Sequence, residues 1–411
     1  MKQILTLLFL TLFCSLNAIE GQVLTTLAKN IEDQWVELLP LRAPMISMVS
    51  KVVRGQPFQI RILFRNPVLA DQKADVAGSL KITGPDGKVL HETKEDVTLF
   101  RATCQDSRNL QLSPYHAVMS FEEKDPSGLY RIDLLLKDRN SGECVPLRTA
   151  IQLEDRLPLP DKPVPWQRML NQYYASPHPE QILSAFREML KLLEEKQRQG
   201  KSNPIPLTAP FYFLLQDNPQ LQDEFFRLTE TLPRNQKLHA AGIINSLGPE
   251  AVKAAISSAG PETRALLNRR AVNLFEVKEV SRPIHLDVLW SEFFIRGTAE
   301  PLKKIVGALD LLRSNMPPEQ FRKLPNPTQK DRENLVRTLI GRAALWSLSS
   351  NAKQHRLIQF YLEGFFFQKK TGSDFSRALV GLILKKQMED EEKKAPSEGT
   401  RPSEKSRTEK S

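Results

Sequence analysis

The chain has 411 residues, 40% of them hydrophobic, 26% charged and 7% aromatic. This length suits two or three domains at roughly 150 residues each, and 18 Gly, 29 Pro and an ordinary apolar content exclude collagen, a coiled coil and a wholly disordered polymer. The net charge is +10, and a single short apolar run excludes a polytopic membrane protein.

That run comes first. Lys2 precedes a mostly apolar stretch from Ile4 to Leu16, shorter than the ~20 residues a membrane-crossing helix needs. Ala18 follows, just before polar Glu20, Gly21 and Gln22. The pattern predicts a secretory signal peptide over 1–18, cut after Ala18. The mature chain is then expected to be periplasmic or secreted and to carry no transmembrane helix. Cys14 leaves with the leader, so Cys104 and Cys144 remain as a candidate disulfide of an exported protein.

Residues 19–50 form an N-terminal segment. Within it Val23–Leu39 reads as one short helix with Leu24, Leu27, Ile31 and Val36 inward, stopped by Pro40. From 51 to 155 the hydrophobic period is two: Phe58, Ile60, Ile62 and Phe64 alternate with Gln59, Arg61 and Leu63. Gly84-Pro85-Asp86-Gly87 and Asn140-Ser141-Gly142 supply tight turns. Seven short strands at regular spacing predict an antiparallel β-sandwich. Asp125-Pro126-Ser127-Gly128-Leu129-Tyr130 resembles the immunoglobulin-type corner, where a Tyr hydroxyl bonds back to nearby backbone. The second core Cys of that family is Ile132 here, and no Trp occurs between 51 and 155, so the resemblance implies a looser Ig-like architecture.

Residues 156–165 hold four prolines and read as an extended linker. The period then changes to 3.6. Ile182, Phe186, Met189, Leu190 and Leu193 share one helix face, as do Phe375, Ala378, Leu379, Leu382 and Ile383. Pro at 179, 219, 233, 249, 261 and 283 punctuates helix starts. Residues 166–386 are therefore expected to be α-helical, and 387–411, rich in Lys, Glu, Ser and Pro, a disordered tail. The expected fold is multidomain: an all-β Ig-like sandwich followed by an all-α, irregular solenoid-like domain. The segment Asp287–Gly297, with Leu289-Trp290 and Phe293-Phe294, resembles uncharacterised exported bacterial proteins with an Ig-like N-terminal domain and a helical body. That resemblance implies a bacterial envelope setting and no activity.

The positive charge is concentrated between 156 and 384, where 32 basic residues face 22 acidic ones. A basic helical body attracts anionic lipid, polysaccharide or an acidic protein surface; its Lys and Arg are scattered, and nucleic acid is not an expected partner. Motifs of chemistry are missing from the sequence: there is no Cys-x-x-Cys, His-Glu-x-x-His or Gly-x-Ser-x-Gly. No catalytic, cofactor-binding or metal-binding residue is assigned, and no cofactor is expected. Phe365-Phe366-Phe367 cannot all point inward, so Phe365 and Phe367, with Lys369 and Lys370, are candidate partner contacts. The expected role is a non-enzymatic binding or scaffold protein of the bacterial envelope that recognises an envelope or extracellular protein through its helical domain. The alternatives are an envelope-polymer hydrolase, or a binder of anionic lipid or polysaccharide.

Overall fold

The computed structural model describes residues 18–40, 42–157, 162–200, 203–268, 273, 275–314, 316–369 and 371–393. The expected leader (all but Ala18), the middle of the expected linker, Lys370 and the end of the expected tail lie outside them. In chain order the first elements are β1 (Glu20–Thr26), α1 (Ile31–Glu37), β2 (Lys51–Val53), β3 (Phe58–Arg65), β4 (Lys73–Thr83), β5 (Val89–Glu92), β6 (Val97–Thr103), β7 (Gln111–Leu112), β8 (Ala117–Met119), β9 (Gly128–Asp138) and β10 (Cys144–Glu154). The helices that follow are α2 (Trp166–Asn171), α3 (Ile182–Arg198), α4 (Ile205–Asp217), α5 (Gln222–Thr231), α6 (Arg234–Leu247), α7 (Pro249–Ser258) and α8 (Pro261–Leu267). The last are α9 (Pro283–Arg296), α10 (Ala299–Gly307), α11 (Pro318–Arg322), α12 (Gln329–Gln354), α13 (Arg356–Gln368) and α14 (Asp374–Glu392).

The chain forms two compact units. Of the described residues, the first comprises those up to Trp35, Met45–Glu276 and Ser291–Gly297, and the second comprises Val36–Pro44, Val277–Trp290 and those from Thr298 to Lys393.

In the first unit β3 pairs antiparallel with β1 along one edge and with β7 and β8 along the other. A second sheet runs β2, β10, β9, β4, with β5 and β6 both on the far edge of β4. Phe58, Ile60, Ile62 and Phe64 from one sheet meet Leu80, Ile132, Leu134 and Leu136 from the other in one buried cluster; Arg61 and Leu63, expected on an open face of β3, are buried as well, so the strand is covered on both sides. Gly87 and Gly142, each at φ 80°, turn the chain between β4 and β5 and between β9 and β10. The Tyr130 hydroxyl donates to the Pro126 carbonyl at 2.9 Å, as the corner sequence implies.

The expected fold class is not what this chain adopts. Both sheets are open, β2 lies parallel to β10, and the same unit contains α2 to α8, so the architecture is mixed α and β rather than an all-β Ig-like sandwich followed by an all-α solenoid. Among these helices Phe186 packs against Phe211 and Phe225 with ring centroids 4.9–5.2 Å apart. The expected helix over Val23–Leu39 is present only in its later part, as α1 (Ile31–Glu37). Its first part is β1, whose register places Val23 opposite Ile62 and Thr25 opposite Ile60, and Val36 is exposed.

In the second unit α12 begins with a reciprocal cap between Thr328 and Asp331. It ends where His355, at φ −126° and ψ 107°, breaks the helix and opens α13. The Val36–Pro44 segment is tied to these helices. Gln368 Nε2 donates to the carbonyls of Glu37 and Leu38 at 3.2 Å each, and Lys303 Nζ reaches Glu37 Oε1 at 2.7 Å. Among the described residues no helix is long and apolar enough to cross a membrane.

Burial lowers the pKa of His239 in α6 and of His355. A buried neutral imidazole in the native state means that the unfolded chain binds more protons as the pH falls. Their contribution is therefore intact above the unfolded value of about 6.5 and is lost as the pH drops through the lower folded values. Asp287, whose carboxyl burial pushes up, acts in the opposite sense at lower pH. Urea unfolding at pH 7.5 and 5.5 should show lower stability at 5.5, and an H239N/H355N variant should show a smaller pH difference. An unchanged difference would refute the assignment.

Candidate anion-binding site

The residues singled out in the sequence are scattered in the fold. Cys104 is a buried free thiol whose Sγ donates to the Asp106 carbonyl at 3.3 Å, while Cys144 is a free thiol exposed at the start of β10. The expected disulfide is not formed, and the sheet explains why. β4 and β9 lie between β6, which Cys104 directly follows, and β10, which Cys144 opens, so about three interstrand spacings of ~4.8 Å separate the two positions, against a Cα separation of at most about 7 Å for a disulfide. Phe365 is core rather than contact surface: it is 1% exposed and stacks with Tyr361 at 6.1 Å. Phe367 is 61% exposed, Lys369 ends α13 in a left-handed conformation and is exposed, and Lys370 is outside the described residues.

One arrangement in the first unit has the form of a nucleophile relay. Ser176 Oγ lies 3.1 Å from His178 Nε2, and His178 Nδ1 lies 3.0 Å from Glu180 Oε1. Acyl transfer also needs donors for an oxyanion. The N–H of Ser176 is already given to the carbonyls of Gln172 and Tyr173. The Ser–His–Glu ladder precedes α3; desolvation of the partly buried Glu180 carboxylate is outweighed by its hydrogen bonds, that with His178 foremost, which hold it below its ordinary pKa. Among the described residues no group of three or more His, Cys, Asp or Glu is placed to hold a metal ion.

A different cluster lies in the second unit, in a cleft of about 550 Å³. Its walls come from four places in the chain. The break at His355 turns the end of α12, carrying Lys353, into α13, where Arg356 and Phe360 share a face at i, i+4 spacing. Arg42 arrives from the Val36–Pro44 segment, and α14 brings Gln387 and Asp390. The guanidinium of Arg42 sits 4.8 Å from the Phe360 ring centre and that of Arg356 sits 4.9 Å from it, a cation–π arrangement that holds both side chains over one ring.

The charges of this cleft are unequally matched. Arg42 Nη2 pairs with Glu363 at 2.8 Å and Lys353 Nζ with Asp390 at 2.6 Å; the Lys353 hydrogen bond holds the Asp390 carboxyl below its usual range. Arg356 has no ion pair among the described residues, so one guanidinium charge is left uncompensated. Gln387 completes the wall. It is 5% exposed, and neither its amide oxygen nor its amide nitrogen has a hydrogen-bond partner among the described residues. A buried polar group left unpaired costs ~1–3 kcal/mol, and a bound group that both donates and accepts would remove that cost. The sequence hid this site because its walls lie far apart in the chain and Gln387 fell in the expected disordered tail; the one local signal is the Arg356–Phe360 spacing.

No protein-family model matches the chain, and no curated protein does. Solved structures match only in part. A Niemann-Pick type C2 protein from Japanese carpenter ant is 8% identical with a TM-score of 0.18, over 25% of this chain and 79% of that one. A superoxide reductase (neelaredoxin) from Ignicoccus hospitalis is 17% identical with a TM-score of 0.16, over 26% of this chain and 75% of that one. A family 123 glycoside hydrolase from Clostridium perfringens is 8% identical with a TM-score of 0.23, over 44% of this chain and 36% of that one. Likeness at this level carries no functional inference.

Proposed function

We propose that this is an exported, non-enzymatic binding protein of the bacterial envelope, periplasmic or secreted, whose ligand carries an anionic group held in the Arg42–Phe360–Arg356 cleft. The observation that carries the reading is the combination of an uncompensated guanidinium over Phe360 with a buried, unpaired Gln387 amide in the same wall. An anion satisfies the guanidinium with charge-assisted hydrogen bonds. A second reading, a contact for an envelope or extracellular protein, draws on the exposure of Phe367 beside Lys369.

The test is calorimetric titration of the full chain with glycerol 3-phosphate at low salt. Binding is expected to weaken as salt rises and to fall at least about tenfold in R356A, the loss of one charge-assisted contact. Equal affinity of R356A and the parent protein, or no binding by either, would overturn the reading.

A further inference from the structure

The anion cleft is continuous with a second depression of opposite character. A groove of about 540 Å³ runs between α13 and α14, walled by Leu39, Phe366, Phe367, Leu384 and Met388, and Arg42 and Gln359 line both the groove and the cleft. Phe367 and Met388 are each 61% exposed along it, an unusual use of large apolar side chains on a surface otherwise rich in charge. Gly381 lets the Phe366 ring pack directly against α14 in the floor, because a Cβ there would stand 2.7 Å from that ring.

Building on the anion-binding reading, we propose that the ligand is a single-chain anionic lipid, a lysophospholipid with a hydroxylated headgroup, whose phosphate lies against Arg356 and whose acyl chain lies in the groove. Three observations fix this occupant. The apolar walls need an apolar guest, and residues 394–411 cannot provide one, since they hold no apolar side chain larger than alanine and proline. The other charged residues along the groove pair with one another, Lys385 with Glu389 and Glu363 with Arg42, so the unmatched cation lies at the Arg356 end and calls for an anion there, which describes an amphiphile. The unpaired Gln387 presents both an acceptor and a donor, so a carboxylate, which only accepts, leaves the amide oxygen unsatisfied, whereas a glycerol hydroxyl donates to it. The size of the groove falls within the usual range for ligand sites, roughly 300–1,000 Å³.

The experiment titrates the full chain, below the micelle threshold of each probe, with myristoyl lysophosphatidylglycerol, myristoyl lysophosphatidylcholine and glycerol 3-phosphate. The anionic lysolipid should bind about 100-fold more tightly than glycerol 3-phosphate through burial of its methylenes, and more tightly than the zwitterionic lysolipid. The F367S/M388S variant, altered without adding charge at two exposed positions, should lose the gain from the chain and keep glycerol 3-phosphate affinity. If glycerol 3-phosphate binds and the acyl chain adds nothing, the lipid assignment fails and the anion site stands. If the two lysolipids bind equally, the headgroup assignment fails. If no probe binds, both readings fall together.

Discussion

Replacing Gly364 with alanine should destabilise the protein by ~3 kcal/mol, at the upper end of what overpacking a close contact costs. Gly364 sits in α13 with the backbone carbonyl of Glu37 directly against the place its side chain would take. The contact atom is backbone and cannot rotate aside, and the same carbonyl is held by Gln368 at 3.2 Å. The comparison is G242A in α6, where nothing lies within 4 Å of an added Cβ; there alanine should stabilise by about 0.4–1 kcal/mol through reduced backbone freedom in the unfolded chain. Urea denaturation followed by circular dichroism measures both. A G364A protein as stable as G242A would show that the Glu37 backbone does not lie on α13.

The second large effect is expected at Arg296, the last residue of α9. Its Nε and Nη2 grip both carboxylate oxygens of Asp217 at 3.0 Å, Nη1 reaches Glu292 at 3.0 Å, and the guanidinium lies 5.0 Å from the Phe213 ring centre. Desolvation opposes its charge, but Asp217 and Glu292 more than offset this and raise its pKa. An R296M substitution conserves bulk and leaves two partly buried carboxylates without their cation. The loss should be ~3 kcal/mol, near the lower bound for breaking a buried pair because the partners keep some contact with water. Adding D217N and E292Q to R296M should restore much of it, since removing a whole ionic cluster costs far less than removing one sign of charge. If the triple variant is no more stable than R296M, the loss comes from packing against Phe213 instead.

The local signals were legible where neighbours in sequence are also neighbours in space. The glycine turns and the Tyr130 corner depend on contacts a few residues apart, and each is present; of the Phe58–Phe64 alternation only the core face is as expected, because distant parts of the chain cover Arg61 and Leu63 too. The misreadings share one cause. Leu24, Leu27 and Ile31 fit a helical period, yet Leu24 lies in strand β1 because β3, more than thirty residues on, offers a ladder for it, and the helix begins only at Ile31. The cysteines looked like a pair because there were two of them, while strand order decides whether they meet. The charged run around Gln387 read as solvated tail. It is helical through Glu392, with Lys353 of α12 reaching across to Asp390. The cleft itself had no local signature, since Arg42 and Gln387 stand at opposite ends of the chain.

The interleaving of the two units along the chain sets the order in which the protein can be made. Val36–Pro44 emerges from the ribosome early, but the α10 and α13 groups that hold Glu37 are synthesised only after the first unit's long central stretch. Those few residues, with Arg42 among them, must wait unpartnered through most of translation. The Arg42–Phe360 cleft consequently forms late, because it needs Arg42 together with residues of α13 and α14 more than three hundred positions further on. Sequence-distant contacts of this kind slow folding, so a chain stalled or truncated before α13 would lack the cleft altogether, however well the sheets had assembled.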